Sequence, residues 1–519
     1  MQYSEAGVEA GTEGYRKAQK RKEGRRRMAE SLYEKLKGYD KTMLPMHMPG
    51  HKRNLLLSGA GGYLEALSAD CDITEVAGFD NLAEPEGILR AIEERTAALW
   101  HSDEAYLLVN GSTCGILAGI YATVRRGGTV IAARNCHKSV YNGLRLREAK
   151  VVCLLPEQDM ETGACGPVTP AAVEEALERN PEAQLVILTS PTYEGVVSDV
   201  VGICEAAHAK GVPVLVDAAH GAHFGFGSFP ESAVSCGADL VVQSLHKTLP
   251  SLTQTAVAHR SGKLVSGAAY REAVNLFQTS SPSYLLLASI EGCIRLLEEN
   301  GEALFADWQE ALSEAYAQAD ALKHLTLIGA EKSRTGRAGG RPGENSYSGA
   351  GKPGLLRDRS KLVVSTVWTT LSGTALMERL RREYHIEAEM AQEQYLVAMT
   401  GMGDTREGLS RFVGALLEID AGCRPVPGKR APYPALPVCR QGMAEAEELP
   451  SEECRIAMSV GRTAAEYVWA YPPGIPLLVP GEEISKEMVD FLLHKEEGGV
   501  RLHRTSRGAE GWLRVHSIR

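Results

Sequence analysis

Short apolar runs alternate with helix-like segments from about residue 86 to residue 242, and this alternation constrains the fold more than any other feature. The runs that read as strands are Ala105–Val109, Thr129–Ala133, Val151–Leu155, Leu185–Thr189, Val212–Asp217 and Leu240–Val242. The segments that read as helices are Ile88–Leu99, an apolar segment that ends at Arg126, His137–Glu148, Pro170–Arg179 and Val200–Lys210. Strands that alternate with helices of this length predict βαβ units, and continuous apolar runs indicate strands covered on both faces. The chain is therefore predicted to be an α/β protein with a mostly parallel sheet.

We predict three regions along the 519 residues. Residues 1–80 form an N-terminal extension and arm, whose basic run Lys17–Arg27 is most simply a solvated surface segment. Residues 81–300 form the large domain that carries the sheet, and residues 301–519 form a smaller C-terminal α/β region. The C-terminal region contains a Gly- and Arg-rich flexible insertion at 329–357. After it, the pattern predicts a strand, a helix, a strand and a helix at Lys361–Thr370, Leu376–Tyr384, Tyr395–Met399 and Thr405–Ile419.

Charge and composition exclude several classes of function. The formal net charge is −10, which argues against a general nucleic-acid surface. No apolar stretch is long enough to span a membrane, and the N-terminus has no apolar segment typical of a secretory signal. The eleven cysteines contain no CxxC pair, which favours free thiols in the cytoplasm over a disulfide framework.

Lys247 follows the apolar run Leu240–Val242, in the sequence Ser244-Leu-His-Lys247. A buried ammonium is costly unless it is paired, and no acidic residue lies between Asp239 and Ala256. A Schiff base with a carbonyl cofactor would solve this problem, because desolvation lowers the pKa of a lysine and activates its amine. On this stretch alone, a lysine that reaches the surface from a strand end is the favoured interpretation, and the other motifs have to change it.

Three further motifs follow predicted strands. Asn110-Gly-Ser-Thr113 lies at a strand-to-helix junction, where free backbone N–H groups and the helix dipole favour an anion, although Ser and Thr also serve as plain helix caps. Asp217 ends a strand where ligands bind in open α/β sheets, and alternation places it on one face with Ala219. His137 starts a helix, where it could lie over a ligand ring or simply cap the helix.

Asp217, His220 and His223 also form a D-x-x-H-x-x-H pattern that could hold a metal ion. This metallohydrolase hypothesis leaves Lys247 and the Asn110–Thr113 loop without a role. We therefore expect no metal.

The joint order of these motifs resembles that of pyridoxal phosphate enzymes with the aspartate aminotransferase fold (fold type I). More specifically, the chain resembles the Orn/Lys/Arg decarboxylase family in its compact bacterial branch. The motifs that carry the resemblance are His47–Lys52, Asn110–Thr113, Cys136–Ser139, Pro191–Gly195, Asp217–His223, Ser244–Lys247 and Tyr471–Pro476.

The resemblance implies pyridoxal 5′-phosphate as the cofactor, with Lys247 as its Schiff-base lysine. Asp217 would pair with the pyridine nitrogen. His137 would stack on the ring, with Ala219 against the other face, and His220 would lie near the phenolic oxygen.

The resemblance also implies phosphate ligands and a shared site. Gly111, Ser112, Thr113, Ser244 and His246 would hold the phosphate, and His246 is also a candidate proton donor. Thr279 and Ser280 lie in a segment that would reach the phosphate of a neighbouring subunit. We therefore expect a homodimer or a larger homo-oligomer with shared active sites.

The implied activity is decarboxylation of a basic amino acid in the cytoplasm, which yields CO2 and a polyamine-precursor amine. The sequence does not choose among arginine, lysine and ornithine. It also leaves open a pyridoxal phosphate aminotransferase or lyase on the same fold, and a catalytically silent cofactor-binding regulator. Two positions depart from the family pattern, Ala218 where many relatives have Glu and Asn81 where Asp is common.

Overall fold

The computed structural model describes residues 42, 44–46, 50, 52, 75, 79–157, 164–330, 355–427, 434–470, 475–497, 500, 502–506 and 508–517. The basic run Lys17–Arg27 and most of the insertion at 329–357 lie outside these residues. Apart from the first residue of the first strand, all elements below belong to the compact unit Pro45–Arg519.

The large α/β region alternates strands and helices as the sequence predicts. Its elements in chain order are β1 (Leu44–Met46), α1 (Ile88–Trp100), β2 (Glu104–Leu108), α2 (Gly111–Thr123), β3 (Thr129–Ala133), α3 (Lys138–Leu146), β4 (Lys150–Leu154), α4 (Pro170–Arg179), β5 (Ala183–Thr189), α5 (Val200–His208), β6 (Val214–Asp217), β7 (Leu240–Gln243), α6 (Leu245–Thr248), β8 (Ala256–Arg260), α7 (Gly267–Phe277) and the long helix α8 (Tyr284–Ala319).

Seven of these strands form one sheet in the order β2-β8-β7-β6-β5-β3-β4. The five strands from β4 to β7 are mutually parallel, whereas β8 runs antiparallel to both of its neighbours. Strands β3, β6 and β7 are buried along their whole length, as continuous apolar runs require when helices cover both faces. The prediction of a mostly parallel α/β sheet is confirmed.

Some predicted boundaries differ from the observed ones for local reasons. The helix predicted to reach Arg126 ends at Thr123, because Val124 is extended and Gly127 turns the chain with φ +74°. The strand predicted from Val212 begins at Val214, because the Val212 N–H still donates to the Ala207 carbonyl of α5.

The C-terminal region contains several helices and a second, smaller sheet, which is described below. Its elements are β9 (Thr326–Leu327), β10 (Lys361–Ser365), α9 (Gly373–Tyr384), β11 (Ile386–Ala388), β12 (Met390–Ala391), β13 (Tyr395–Met399), α10 (Arg406–Ala421), α11 (Met443–Glu448), β14 (Ser451–Arg455), β15 (Val468–Ala470), β16 (Ile475–Leu478), α12 (Lys486–Glu497), β17 (Leu502–Arg504) and β18 (Trp512–His516).

The smaller sheet has the order β12-β13-β10-β9 and is antiparallel throughout. The strand predicted for Lys361–Thr370 ends at Ser365, since its partner β13 begins opposite, at Tyr395. The predicted boundary between domains at residue 300 lies inside α8, so the division into domains stays a prediction. Among the described residues, every helix is too short or too polar to cross a membrane.

A buried ion pair joins the large sheet to the proline-rich segment near residue 480. Arg134 follows β3, and its guanidinium donates to both carboxylate oxygens of Glu482, at 2.6 and 2.9 Å. It also donates to the Leu477 carbonyl of β16 at 2.9 Å. The two side chains are only 8% and 6% exposed, so each charge depends on the other for compensation.

Replacing Arg134 with Met is therefore expected to lower the free energy of unfolding by about 3–5 kcal/mol, because it leaves a buried carboxylate without its cation. Urea denaturation measures the change. Arg179→Met is the control, since its pair with Glu175 is 73% and 62% exposed and contributes less than about 1 kcal/mol. Equal losses in the two variants would contradict the structural role of the Arg134 pair.

Candidate active site

The carboxyl edge of the parallel strands brings the predicted site residues to one side of the sheet. β3, β5, β6 and β7 all end there, and β2 has the same direction because β8 runs antiparallel to both β2 and β7. Ligands of open α/β sheets bind at this edge. The segments that follow these strands contain Asn110–Thr113, His137, Pro191–Gly195, Asp217–His220 and Ser244–Lys247.

Lys247 lies in the short helix α6, directly after β7. Its Nζ is 3.0 Å from Nε2 of His220. Burial lowers the pKa of Lys247, and the charges of Asp217 and Glu389 act in the opposite direction. Burial, followed by the charge of Lys247, lowers the pKa of His220 well below its usual value, so His220 is neutral and accepts a hydrogen bond from the lysine. The structure thus places the amine of this partly buried lysine in a desolvated setting beside His220 and not at the open surface.

Asp217 is buried at the end of β6, with 4% of its surface exposed. Its carboxylate accepts the Ala219 N–H at 3.1 Å. Burial raises the pKa of Asp217, while the charge of Lys247 and this hydrogen bond oppose the increase. A carboxyl group in this state is suited to a cationic partner. Ala218 packs into the hydrophobic core of the sheet, as the alternation along the strand predicts, and Ala219 lies outside that cluster.

His137 caps α3 and also lies in the electrostatic field of Lys247. The backbone N–H of Ser139 donates to its Nδ1 at 3.2 Å. Burial and then the positive charges of Lys247 and Lys138 lower the pKa of His137 to about 4. The structure therefore shows the capping role, and contact of this neutral, half-buried imidazole with a ligand ring stays a prediction.

Helix α2 begins at the predicted anion loop. Gly111 adopts φ +74°, a conformation that glycine tolerates, and the helix start has no side-chain cap. Gly111 and Ser112 are half-buried and Thr113 is exposed. The unsatisfied N–H groups of this first turn provide favourable electrostatics for an anion.

Ser244 and His246 flank the start of α6. Within the described part of the chain, Oγ of Ser244 is buried and has no hydrogen-bond partner. Nδ1 of His246 lies 2.9 Å from the Thr255 carbonyl oxygen, so Nδ1 carries a proton and donates it. This bond fixes the orientation of the imidazole.

Thr279 and Ser280 lie in the exposed segment after α7. The Thr279 N–H approaches Oδ1 of Asn110 at 3.5 Å, next to the anion loop of the same chain. Their predicted contact with a neighbouring subunit stays a prediction. Asn81, the second departure from the family pattern, is exposed and accepts the Ala83 N–H in a local turn.

The two histidines of the D-x-x-H-x-x-H pattern point to different partners. Nε2 of His223 bonds Asp358 at 3.1 Å and Ser360 at 3.3 Å, whereas His220 contacts Lys247. Within the described ranges, no three His, Cys, Asp or Glu side chains converge as a ligand set. The geometry therefore gives the metallohydrolase hypothesis no support.

The site also contains residues that the sequence did not identify. The Tyr193 ring packs edge-on against His220, with centroids 4.6 Å apart, and its hydroxyl donates to Glu389. Glu389 lies between β11 and β12 and is half-buried, and its charge opposes the decrease that burial causes in the pKa of Lys247. The Pro191–Gly195 motif was a usable signal for Tyr193. The sequence around Glu389 contains no motif that would place it in this site. It comes from the C-terminal region, which is distant in sequence from the other site residues.

Known proteins are similar to this chain in sequence and in fold. Residues 31–334 match the model of the Orn/Lys/Arg decarboxylase major domain, and residues 438–502 match that of the Orn/Lys/Arg decarboxylase C-terminal domain. The arginine decarboxylase of Halalkalibacterium halodurans is 30% identical over 88% of this chain and 90% of its own length. The arginine decarboxylase of Bacillus subtilis is 28% identical over 90% of this chain and 94% of its own length.

A solved structure supports the fold. Lysine decarboxylase A from Pseudomonas aeruginosa superposes with a TM-score of 0.71 and 21% identity, over 91% of this chain and 78% of that chain. This likeness confirms the predicted fold class, that of fold-type I pyridoxal phosphate enzymes with a smaller C-terminal α/β region. From the match over residues 31–334 and the 30% identity over most of both chains, the chain belongs to the Orn/Lys/Arg decarboxylase family.

Proposed function

We propose that this chain is a pyridoxal phosphate-dependent decarboxylase of a basic amino acid, namely arginine, lysine or ornithine. The observation that carries the proposal is the desolvated amine of Lys247, 3.0 Å from a neutral His220 and close to the buried carboxyl of Asp217. The family, whose relatives include arginine and lysine decarboxylases, supports this reaction. The products would be CO2 and the corresponding amine.

The residues present fit the cofactor. A phosphate would satisfy two features that otherwise lack a partner, the buried hydroxyl of Ser244 and the uncapped start of α2 at Gly111, Ser112 and Thr113. The buried carboxyl of Asp217 would pair with a protonated pyridine nitrogen. When bound, pyridoxal phosphate supplies a ring that accepts the electron pair of the breaking bond.

Other side chains would fix the ring and its surroundings. His137 and Ala219 would contact the two ring faces, and neutral His137 would do so without adding charge. His220 would lie near the phenolic oxygen, where its buried Nδ1 has no hydrogen-bond partner among the described residues. His246 would complete the phosphate site.

Loss of the carboxylate leaves the α-carbon in need of a proton, and two groups could deliver it. The Lys247 ammonium is held by His220, which orients its remaining protons. His246 commits Nδ1 to the Thr255 carbonyl, so it would act through Nε2. Because burial lowers the pKa of Lys247, its ammonium is a stronger acid than that of an exposed lysine.

We further propose that Glu389 faces the distal cation of the substrate. A basic amino acid bound at Lys247 extends a second positive charge into the site, and this charge needs an anion. Burial lowers the pKa values of Lys247, Lys52 and Lys361, and the charge of Glu389 opposes this decrease at each of them, so this carboxylate lies within electrostatic reach of the site. Its hydrogen bond from Tyr193 holds it in place.

We also propose a homodimer or larger assembly in which Thr279 and Ser280 complete the phosphate site of a neighbouring copy. Their exposure next to Asn110 supports this arrangement, because side chains at the rim of one site are accessible to a second chain. We assign the reaction to the cytoplasm, as expected for a chain rich in free thiols.

Lys247→Ala is expected to abolish both the visible absorption band of the holoprotein and CO2 release, because it removes the amine that binds the cofactor covalently. Absorption spectra and a CO2 assay measure the two effects. Lys486→Ala is the control, since its side chain is 72% exposed and pairs only with Asp490 among the described residues. A visible band that persists in Lys247→Ala would refute the assignment.

Glu389→Gln is expected to raise the KM for the basic substrate by roughly 10- to 100-fold, since a hydrogen bond to a charged group contributes about 1.5–3 kcal/mol. Steady-state kinetics with the preferred substrate measure this change. Glu387→Gln is the matched control, because Glu387 lies two residues away and pairs with Arg381. An unchanged KM in Glu389→Gln would exclude Glu389 as the partner of the distal cation.

A further inference from the structure

Three segments that are distant in sequence meet at the backbone on either side of Lys247. The Gly50 N–H donates to the His246 carbonyl at 2.6 Å, and the Gly50 carbonyl accepts the Gly403 N–H at 3.1 Å. The Met402 N–H donates to the Thr248 carbonyl at 3.0 Å. We call this arrangement the junction: Gly50, the turn at residues 399–404 and helix α6.

The junction is packed so closely that side chains would not fit. A Cβ atom on Gly50 would lie 2.5 Å from the carbonyl carbon of Thr248, and one on Gly401 would lie 2.8 Å from the Gly50 carbonyl oxygen. Both contacts involve backbone atoms, which cannot rotate away. The geometry of α6 is therefore coupled to that of the other two segments.

Lys52 holds the turn at both ends. Its Nζ donates to the Met399 carbonyl at 2.7 Å and lies 3.8 Å from the Asp404 carboxylate. That carboxylate in turn accepts the Gly401 N–H at 2.7 Å. The side chains of Lys52 and Asp404 are each only 3% exposed, so this is a buried ion pair with hydrogen bonds to the backbone of the turn.

The junction acts on the two residues that flank Lys247. The carbonyl of His246 is bonded to Gly50, and that of Thr248 is bonded to Met402. Helix α6 has four residues and no side-chain cap, so it has little intrinsic stability and depends on outside contacts for its orientation. A change in the turn would therefore move the backbone from which Lys247 extends.

We propose that Lys52 is a positioning residue that fixes the turn at residues 399–404, and through the junction fixes the direction of Lys247. This gives a role to the Gly50 and Lys52 positions of the His47–Lys52 motif, which the cofactor site does not use. The proposal rests on the proposed function for its effect on turnover, but the junction itself can be tested without cofactor.

The test compares Lys52→Met, the double variant Lys52→Met/Asp404→Asn, and Lys495→Met as a half-buried lysine that lies outside the junction. Lys52→Met is expected to lower kcat at least tenfold with KM within about threefold, and to shift the pH midpoint of the visible band. In the cofactor-free chain it is expected to accelerate amide hydrogen exchange at residues 246–249 and 402–403. Lys495→Met should behave as the wild type in each measurement.

The double variant separates positioning from simple charge balance. It removes both buried charges, so its melting temperature should recover towards that of the wild type, whereas kcat and the pH midpoint should stay altered because the bond to the Met399 carbonyl is still missing. Recovery of kcat together with the melting temperature would overturn the proposal. If Lys52→Met does not fold, the double variant alone decides by the same readouts.

Amide exchange distinguishes a failure of this inference from a failure of the proposed function. A wild-type chain that forms no visible band and releases no CO2 contradicts the proposed function, yet faster exchange in Lys52→Met would still support the junction. Unchanged exchange at residues 246–249 in a folded Lys52→Met or double variant overturns the inference, whatever the activity of the wild type.

Discussion

The desolvation of Lys247 is the constraint on which the rest of the site depends. A lysine amine at a buried sheet edge is reactive only if its charge is destabilised without being fully neutralised by a carboxylate. Here the contact at 3.0 Å is with neutral His220, and the carboxylates of Asp217 and Glu389 act on Lys247 through their charges. The helices that cover both faces of the sheet exclude water and so make these effects strong.

The C-terminal region contributes directly to the environment of Lys247. The link between β11 and β12 supplies Glu389 next to Tyr193, and the turn at residues 399–404 bonds the backbone that carries Lys247. Lys52 and Asp404 hold that turn by a buried ion pair. Contacts from the C-terminal region thus both orient the reactive amine and tune its charge, which explains why a four-residue helix can serve as its support.

The sequence predicted what depends on local pattern. Strands β3, β5, β6 and β7 were identifiable as short apolar runs, and because parallel strands end at one edge, Asp217, His137 and Lys247 were correctly expected at that edge. Contacts between distant segments could not be predicted from the sequence. Lys52 and Met399 are 347 residues apart, and Glu389 follows a short strand with no motif around it. The electrostatic effect of Lys247 on His137, which caps α3, also could not be predicted from the sequence.

Product analysis tests the central claim most directly. Purified protein with pyridoxal phosphate would be incubated separately with arginine, lysine and ornithine, each labelled with ¹³C in the carboxyl group. The account predicts equal amounts of labelled CO2 and the corresponding amine from at least one of the three. Formation of a keto acid without labelled CO2, or a visible band with no turnover of any of the three, would contradict it.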